Sequence, residues 1–184
     1  STVAKGVADK LGYLYIDTGA MYRAIAYKAL QAQIPISNQQ AIVSLAMQTK
    51  ITLVDIDGEQ HIYADDTDIT LDVRTPEVTR ASSPISAIAG VRKRLVDLQR
   101  NMAQSGGVVM EGRDIGTVVF PNAEVKVYLT ASADERARRR VEQMKQMGIE
   151  ADEAKIAAEM RERDLRDSSR SAAPLTKAPD AVLL

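Results

Sequence analysis

Four adjacent residues, Glu111-Gly112-Arg113-Asp114, have the types and spacing to do chemistry. They close a short apolar run, Val108-Val109-Met110, which itself follows Gly106-Gly107. A run so bounded predicts a fully buried strand. In an open parallel sheet, ligands sit beyond the carboxyl ends of the strands. Arg113 offers a planar fork suited to a phosphate, and Asp114 offers an acceptor beside it. Gly112 is read as letting the backbone turn without a side chain in the way. The competing reading is an ordinary strand-end turn closed by a local Arg113–Asp114 ion pair. Asp17-Thr18-Gly19-Ala20-Met21-Tyr22-Arg23 repeats the theme. A strand exit that feeds a helix presents free N–H groups to an anion, Thr18 adds a hydroxyl, and Arg23 adds a second fork. Here the competing reading is a capped helix with an exposed arginine. A third group is Arg163, Asp167 and Arg170, whose spacings of four and three place them on one helical face just before Pro174. Asp164 and Arg166 fall off that face and are expected to pair with neighbours.

Composition narrows the chemistry these groups can do. The 184 residues suffice for one α/β domain with an inserted subdomain. Hydrophobic residues make up 45% and charged ones 27%, which marks a globular chain. No apolar run approaches the roughly 20 residues of a membrane helix, and no signal-peptide pattern appears. There is no cysteine, so disulfides and thiolate-bound zinc are excluded; a cytoplasmic address is compatible with this. A single histidine, His61, makes a histidine triad or a His-rich metal site improbable. The net charge of −1 does not advertise nucleic-acid binding. Residues 136–170 hold ten cations but also eight carboxylates, so that stretch too is nearly balanced.

The elements that must position these residues alternate between strand and helix. Helical spacing of Val3, Val7, Ala8 and Leu11 predicts a helix ended by Gly12. A strand follows at 13–16 and a helix at 20–33. Ser37 is read as the cap of a helix at 39–48. Residues 51–56 and 60–64 around Asp57-Gly58 predict a β-hairpin, with a third short strand at Ile69. Asp65, Asp66 and Asp68 lack the ligand spacing of a calcium loop and read as a solvated turn. Pro76 starts one helix, Ser82-Ser83-Pro84 another, and 91–104 forms a long amphipathic one. A strand is expected at 125–129, charged helices at 133–147 and 151–167, and a buried strand at 181–184. The antiparallel unit interrupts an otherwise parallel α/β pattern and is read as an insertion.

STVAK at the start, DTGAMYRA, RTPEV, EGRDIGTVVFPNAEVKVYLTAS and RERDLRDSSRSAAPL cover nearly the whole chain in order. Together they resemble the bacterial cytidylate kinases, nucleoside monophosphate kinases of the P-loop class. The resemblance implies a P-loop kinase core with a parallel sheet flanked by helices, a small antiparallel β unit inserted in the monophosphate-binding region, and a helical lid. It implies a single domain, with 1–34 and 91–132 as core, 35–90 as the monophosphate-binding region, 133–165 as lid and 166–184 returning to the core. The family's Walker A loop belongs immediately before Ser1-Thr2, and the sequence begins after its lysine. The parent protein is expected to carry that loop, the first core strand and a further helix after Leu184. Residues 1–184 alone are expected to make a poor kinase.

The implied reaction is transfer of the ATP γ-phosphoryl group to CMP or dCMP with Mg²⁺, in a cytoplasmic monomer that engages neither membrane nor nucleic acid. By motif match, Thr18, Arg23, Arg113 and Arg170 hold the acceptor phosphate. Ser83, Arg92 and Asp114 face the cytosine, and Arg163 and Asp167 meet the sugar. Ser1 and Thr2 stand at the ATP end, with Ser1 the candidate Mg²⁺ ligand. Arg139 is the candidate lid arginine for ATP, in competition with Arg136, Arg138 and Arg140. Catalytic roles fall to Arg113, Arg170, Asp114 and Arg139, while Asp17 and Glu111 are further candidates, Asp17 toward Mg²⁺-bound water or the Walker A loop. A kinase of UMP, AMP or a sugar acid would share the core. An RNA-binding domain built on the arginine helices is disfavoured by the charge balance and by one Phe, no Trp and six Tyr for stacking.

Overall fold

The computed structural model describes residues 2–146, 148–170 and 173–184. They divide into two units, Ser1–Ile115 and Gly116–Leu184. The first unit begins with α1 (Thr2–Leu11), β1 (Leu14–Asp17) and α2 (Thr18–Gln31). There is no loop between β1 and α2, because Asp17 both ends the strand and caps the helix: its Oδ1 accepts from Ala20 N at 3.0 Å. α3 (Gln39–Gln48) is capped by Asn38, not Ser37, since the Asn38 side chain is the one that accepts from Ala41 N, at 3.2 Å. On α1, Ala8 is buried, whereas Val3, Val7 and Leu11 are exposed.

The inserted sheet is antiparallel, in the order β2 (Ile51–Ile56), β3 (Glu59–Ala64), β4 (Thr67–Asp68). Its first turn is Asp57-Gly58, with φ of +53° and +77°. Both central residues are left-handed, the geometry whose twist matches two flanking strands. The third strand lies at Thr67–Asp68, one residue short of Ile69, which is instead buried in the core. Ile51, Ile62 and Ala64 face the same core as Met21 and Ile25 of α2, so the insert is packed onto that helix.

α4 (Pro76–Ile85) starts as expected, with Pro76 in the first turn and Thr75 as cap. It does not break at Ser82-Ser83-Pro84; Pro84 lies inside it, in its last turn. The Ser82 and Ser86 hydroxyls donate back to the Thr79 and Ser83 carbonyls, at 2.8 and 2.7 Å, satisfying acceptors in that turn. α5 (Ala89–Met102) follows and leads to β5 (Val108–Glu111). β5 pairs with β1 in parallel, with Leu14 opposite Val108 and Asp17 opposite Glu111. All four β5 residues are half-buried, not fully buried, because the described sheet here has two strands only.

A wide helical turn over Ile115–Val119 carries the chain into the second unit. There β6 (Val127–Tyr128) is followed by α6 (Ala133–Gln146), α7 (Glu153–Ser169) and β7 (Val182–Leu183). α6 and α7 pack together, with Ala137, Met144 and Ala157 buried. β6 and β7 pair in parallel. Both are shorter than expected, and Val182 and Leu183 are exposed, since nothing among the described residues of this unit covers that two-stranded sheet.

Candidate functional site

The parallel register of β1 and β5 sets Asp17 level with Glu111, so both strand exits carrying an acid and an arginine lie at one end of one sheet. They are also stitched together. The Thr18 hydroxyl, at the first residue of α2, donates to the Glu111 carbonyl at 2.7 Å. Gly112 keeps a side chain out of the way there, as expected. A Cβ at that position would sit 2.4 Å from Thr18 Oγ1 and 2.8 Å from Ile115 Cδ1. Arg23, one turn into α2, pairs with Asp17 at 2.9 Å and is mostly covered rather than exposed. Its buried Nε has no hydrogen-bond partner among the described residues, which leaves a donor for an incoming acceptor. Arg113 follows Gly112 and is exposed. The Glu111 carboxylate accepts from the Tyr15 hydroxyl. In α2 the carboxylate of Asp17 thus both caps the helix and holds its arginine.

Two residues beyond Gly112, the chain turns inward. Asp114 is buried and forms an ion pair with Arg92 of α5, also buried; their side chains are 6% and 7% exposed. This partner lies 22 residues earlier in the chain. A second nitrogen of Arg92 donates to the Ser86 carbonyl at 3.0 Å, and the Ser86 hydroxyl donates to the carbonyl of Ser83. The guanidinium also lies 5.6 Å from the ring centre of Tyr22. Ser83, Arg92 and Asp114, grouped by motif alone, are therefore joined in one buried network. Thr18, Arg23, Ser83, Arg92, Arg113 and Asp114 all belong to the first unit.

The second unit carries the Arg–Asp–Arg edge. Asp167 is buried, with its carboxylate 3.4 Å from Arg170 Nη1 and 3.7 Å from Arg163 Nε. Its own carbonyl accepts from Leu175 N at 2.8 Å, and Arg170 Nε donates to the Ala173 carbonyl at 2.7 Å. Both bonds fix the chain beyond α7 against this face. The residues off the face pair with neighbours, Arg166 with Glu162 at 2.5 Å and Asp164 with Arg136 of α6. Arg136 thereby ties the two charged helices together. Arg138 and Arg139 both hold Glu135, at 2.8 and 2.7 Å. Those hydrogen bonds, Arg138's first, keep the Glu135 carboxyl below its usual range. Arg140 donates to Gln143 at 2.7 Å. Ser1 lies outside the described residues; Thr2 opens α1.

The profile of the family described as cytidylate kinase matches residues 1–184. The chain belongs to the cytidylate kinase family. It is 52% identical over its whole length to a cytidylate kinase of Desulforamulus reducens, covering 82% of that protein. It is 49% identical to one of Desulfitobacterium hafniense, covering 79% of it. A bifunctional pantoate ligase/cytidylate kinase of a Synechococcus strain is 49% identical over 187 residues, and there the match covers 34% of the larger protein. The α/β architecture, with parallel strands flanked by helices, is the one this family implies.

Three residues that join this candidate site carry no sequence signal for their placement. Tyr22 sits in the same motif as Thr18 and Arg23, and nothing in its type signals that it lies beside a buried arginine. Ser86 acts through its carbonyl, which has no sequence signature. Gln60, on the inserted hairpin, reaches β1 through its side chain. Among the described residues, no group of three or more acids and histidines is placed to hold a metal ion. No helix there is long and apolar enough to cross a membrane.

Proposed function

We propose that the protein is a nucleoside monophosphate kinase that moves the γ-phosphoryl group of ATP onto the phosphate of CMP or dCMP, releasing ADP and CDP or dCDP. The bond from the γ-phosphorus to the β–γ bridging oxygen breaks and its electron pair leaves with ADP. A new bond forms to an oxygen of the acceptor phosphate. That phosphate is already ionised, so no general base is needed, and the work is positioning and charge neutralisation. This suits a chain with one histidine and no cysteine.

The single observation that carries this reading is the buried Arg92–Asp114 pair linked through Ser86 to Ser83. Cytosine presents an amino donor beside the acceptors N3 and O2. Asp114 would take the amino group, and Arg92 and Ser83 would supply donors to the acceptors. Uracil would set an oxygen against the aspartate, and a site built for a donor rejects a partner that lacks it. Thr18, Arg23 and Arg113 would hold the acceptor phosphate at the strand exits, with Arg170 as a fourth group. Arg163 and Asp167 would take the ribose, where Asp167 accepts from a hydroxyl. Residues 1–34 and 91–132 would form the core, 35–90 the monophosphate region, 133–165 the lid and 166–184 the return.

Mg²⁺ carried on ATP phosphates keeps several waters and asks for one or two protein oxygens. The side-by-side acids Asp17 and Glu111 have the donor chemistry for such a water-mediated ion, with Ser1 as the direct candidate. Bound there, the ion would neutralise charge on the phosphates. Arg139 would reach ATP from the lid. The test is initial rates of the full-length protein with CMP, dCMP, UMP and AMP. CMP and dCMP should far outrun the others. Equal turnover of UMP would remove the role given to Asp114.

A further inference from the structure

Gln60 sits on the inserted hairpin, directly opposite Asp55 in the β2–β3 ladder. Its side-chain amide reaches the edge of β1 that faces away from β5. There Nε2 donates to the Tyr15 carbonyl and Oε1 accepts from Asp17 N at 3.3 Å. Those two bonds, to the carbonyl before Ile16 and the N–H after it, are the pair that one residue of a neighbouring parallel strand would make. The side chain therefore stands in for a strand on an edge that would otherwise show unpaired groups. Beside this contact the seam between insert and β1 opens into a cleft of about 130 Å³, lined by Tyr13, Tyr15, Leu53 and Gln60 with Asp9 and Asp55.

The residues that Gln60 grips are the ones that set the phosphate end. Asp17 caps α2 and holds Arg23; the next residue, Thr18, bridges to Glu111. We propose that Gln60 is a positioning residue for the acceptor phosphate: it fixes the backbone of Tyr15–Asp17 so that Asp17 presents the Arg23 guanidinium in the orientation the monophosphate needs. This gives the insert a task in the reaction and rests on the kinase reading above.

The test uses full-length protein with Gln60→Ala and Gln60→Glu; the second keeps shape and acceptor but loses the donor to Tyr15. Both should raise the KM for CMP about 3- to 10-fold with the KM for ATP unchanged. In Gln60→Ala, amide exchange at Asp17 should speed up. Combining Gln60→Ala with Arg23→Lys should give less than the product of the single effects, since both act on one guanidinium. A fall in melting temperature with CMP and ATP constants unmoved, or moving together, overturns the proposal, as does a fully multiplicative double variant. Should a variant fail to fold, the other carries the comparison. Absence of CMP-dependent turnover in the wild type would instead overturn the kinase reading itself.

Discussion

The buried Arg92–Asp114 pair makes a prediction in which stability and specificity come apart. Both side chains are almost wholly removed from water. Deleting one partner strands the other charge, which costs about 3–5 kcal/mol. Asp114→Ala is therefore expected to be both destabilised and inactive, and cannot by itself assign a role to the carboxylate. Asp114→Asn keeps the shape and an acceptor for Arg92, and it replaces the other oxygen with an amide that can turn a donor toward a base. Losing one charged hydrogen bond to cytosine is worth about 1.5–3 kcal/mol, or about 10- to 200-fold in kcat/KM for CMP. The preference for CMP over UMP should collapse by at least as much, because the same amide can serve uracil. Replacing both partners with apolar residues, Arg92→Met with Asp114→Leu, is expected to be close to neutral in stability while CMP use is lost. Urea unfolding and coupled ADP-release rates with CMP, UMP and AMP read out all three variants. A folded Asp114→Asn protein whose CMP/UMP ratio stays within about twofold of wild type would mean that the Asp114 carboxylate does not read the base.

Other expectations follow from packing and charge elsewhere. Gly112→Ala must push the Thr18 hydroxyl off the Glu111 carbonyl, so it should cost about 1–3 kcal/mol and raise the KM for CMP in steady-state assays. Gly90→Ala meets Val43 Cγ2 at 2.7 Å where α3 packs on α5, and should show a similar loss in urea melts with CMP constants unchanged. Asp68 is drawn from 3.8 down to about 2 by hydrogen bonds from the Thr70 and His61 side chains and the Thr70 backbone. Its folded value lies below its unfolded one, so its stabilising contribution is present above about pH 4 and fades as pH falls through about 2. Asp68→Asn should flatten that acid limb in a pH series of unfolding curves, and a wild-type limb matching the variant's would contradict it.

How far the sequence led depends on the range of the interaction. The Asp57-Gly58 hairpin and the Thr75-Pro76 helix start were legible because each depends on a few neighbouring residues with strong backbone preferences. The Arg163–Asp167–Arg170 edge was legible because helical periodicity fixes it. Pro84 misled because a proline late in a helix reads like a start; α4 continues through it, where serine hydroxyls satisfy carbonyls of the turn. The Arg92 partner of Asp114 and the reach of Gln60 to β1 are tertiary pairings across 22 and 45 residues, beyond any local pattern. Gly112 was legible as a place with no room for a side chain, but the atoms that leave no room, from Thr18 and Ile115, come from tertiary packing.

In the proposed reaction, guanidinium forks from distant parts of the chain converge on one small nucleotide. A crystal structure of the full-length protein with CMP bound tests it most directly. The monophosphate should lie within hydrogen-bond distance, about 3 Å, of Arg23, Arg113 and Arg170, with the cytosine against Ser83, Arg92 and Asp114. A CMP held elsewhere, or Arg170 turned to a surface remote from Arg23 and Arg113, would contradict it.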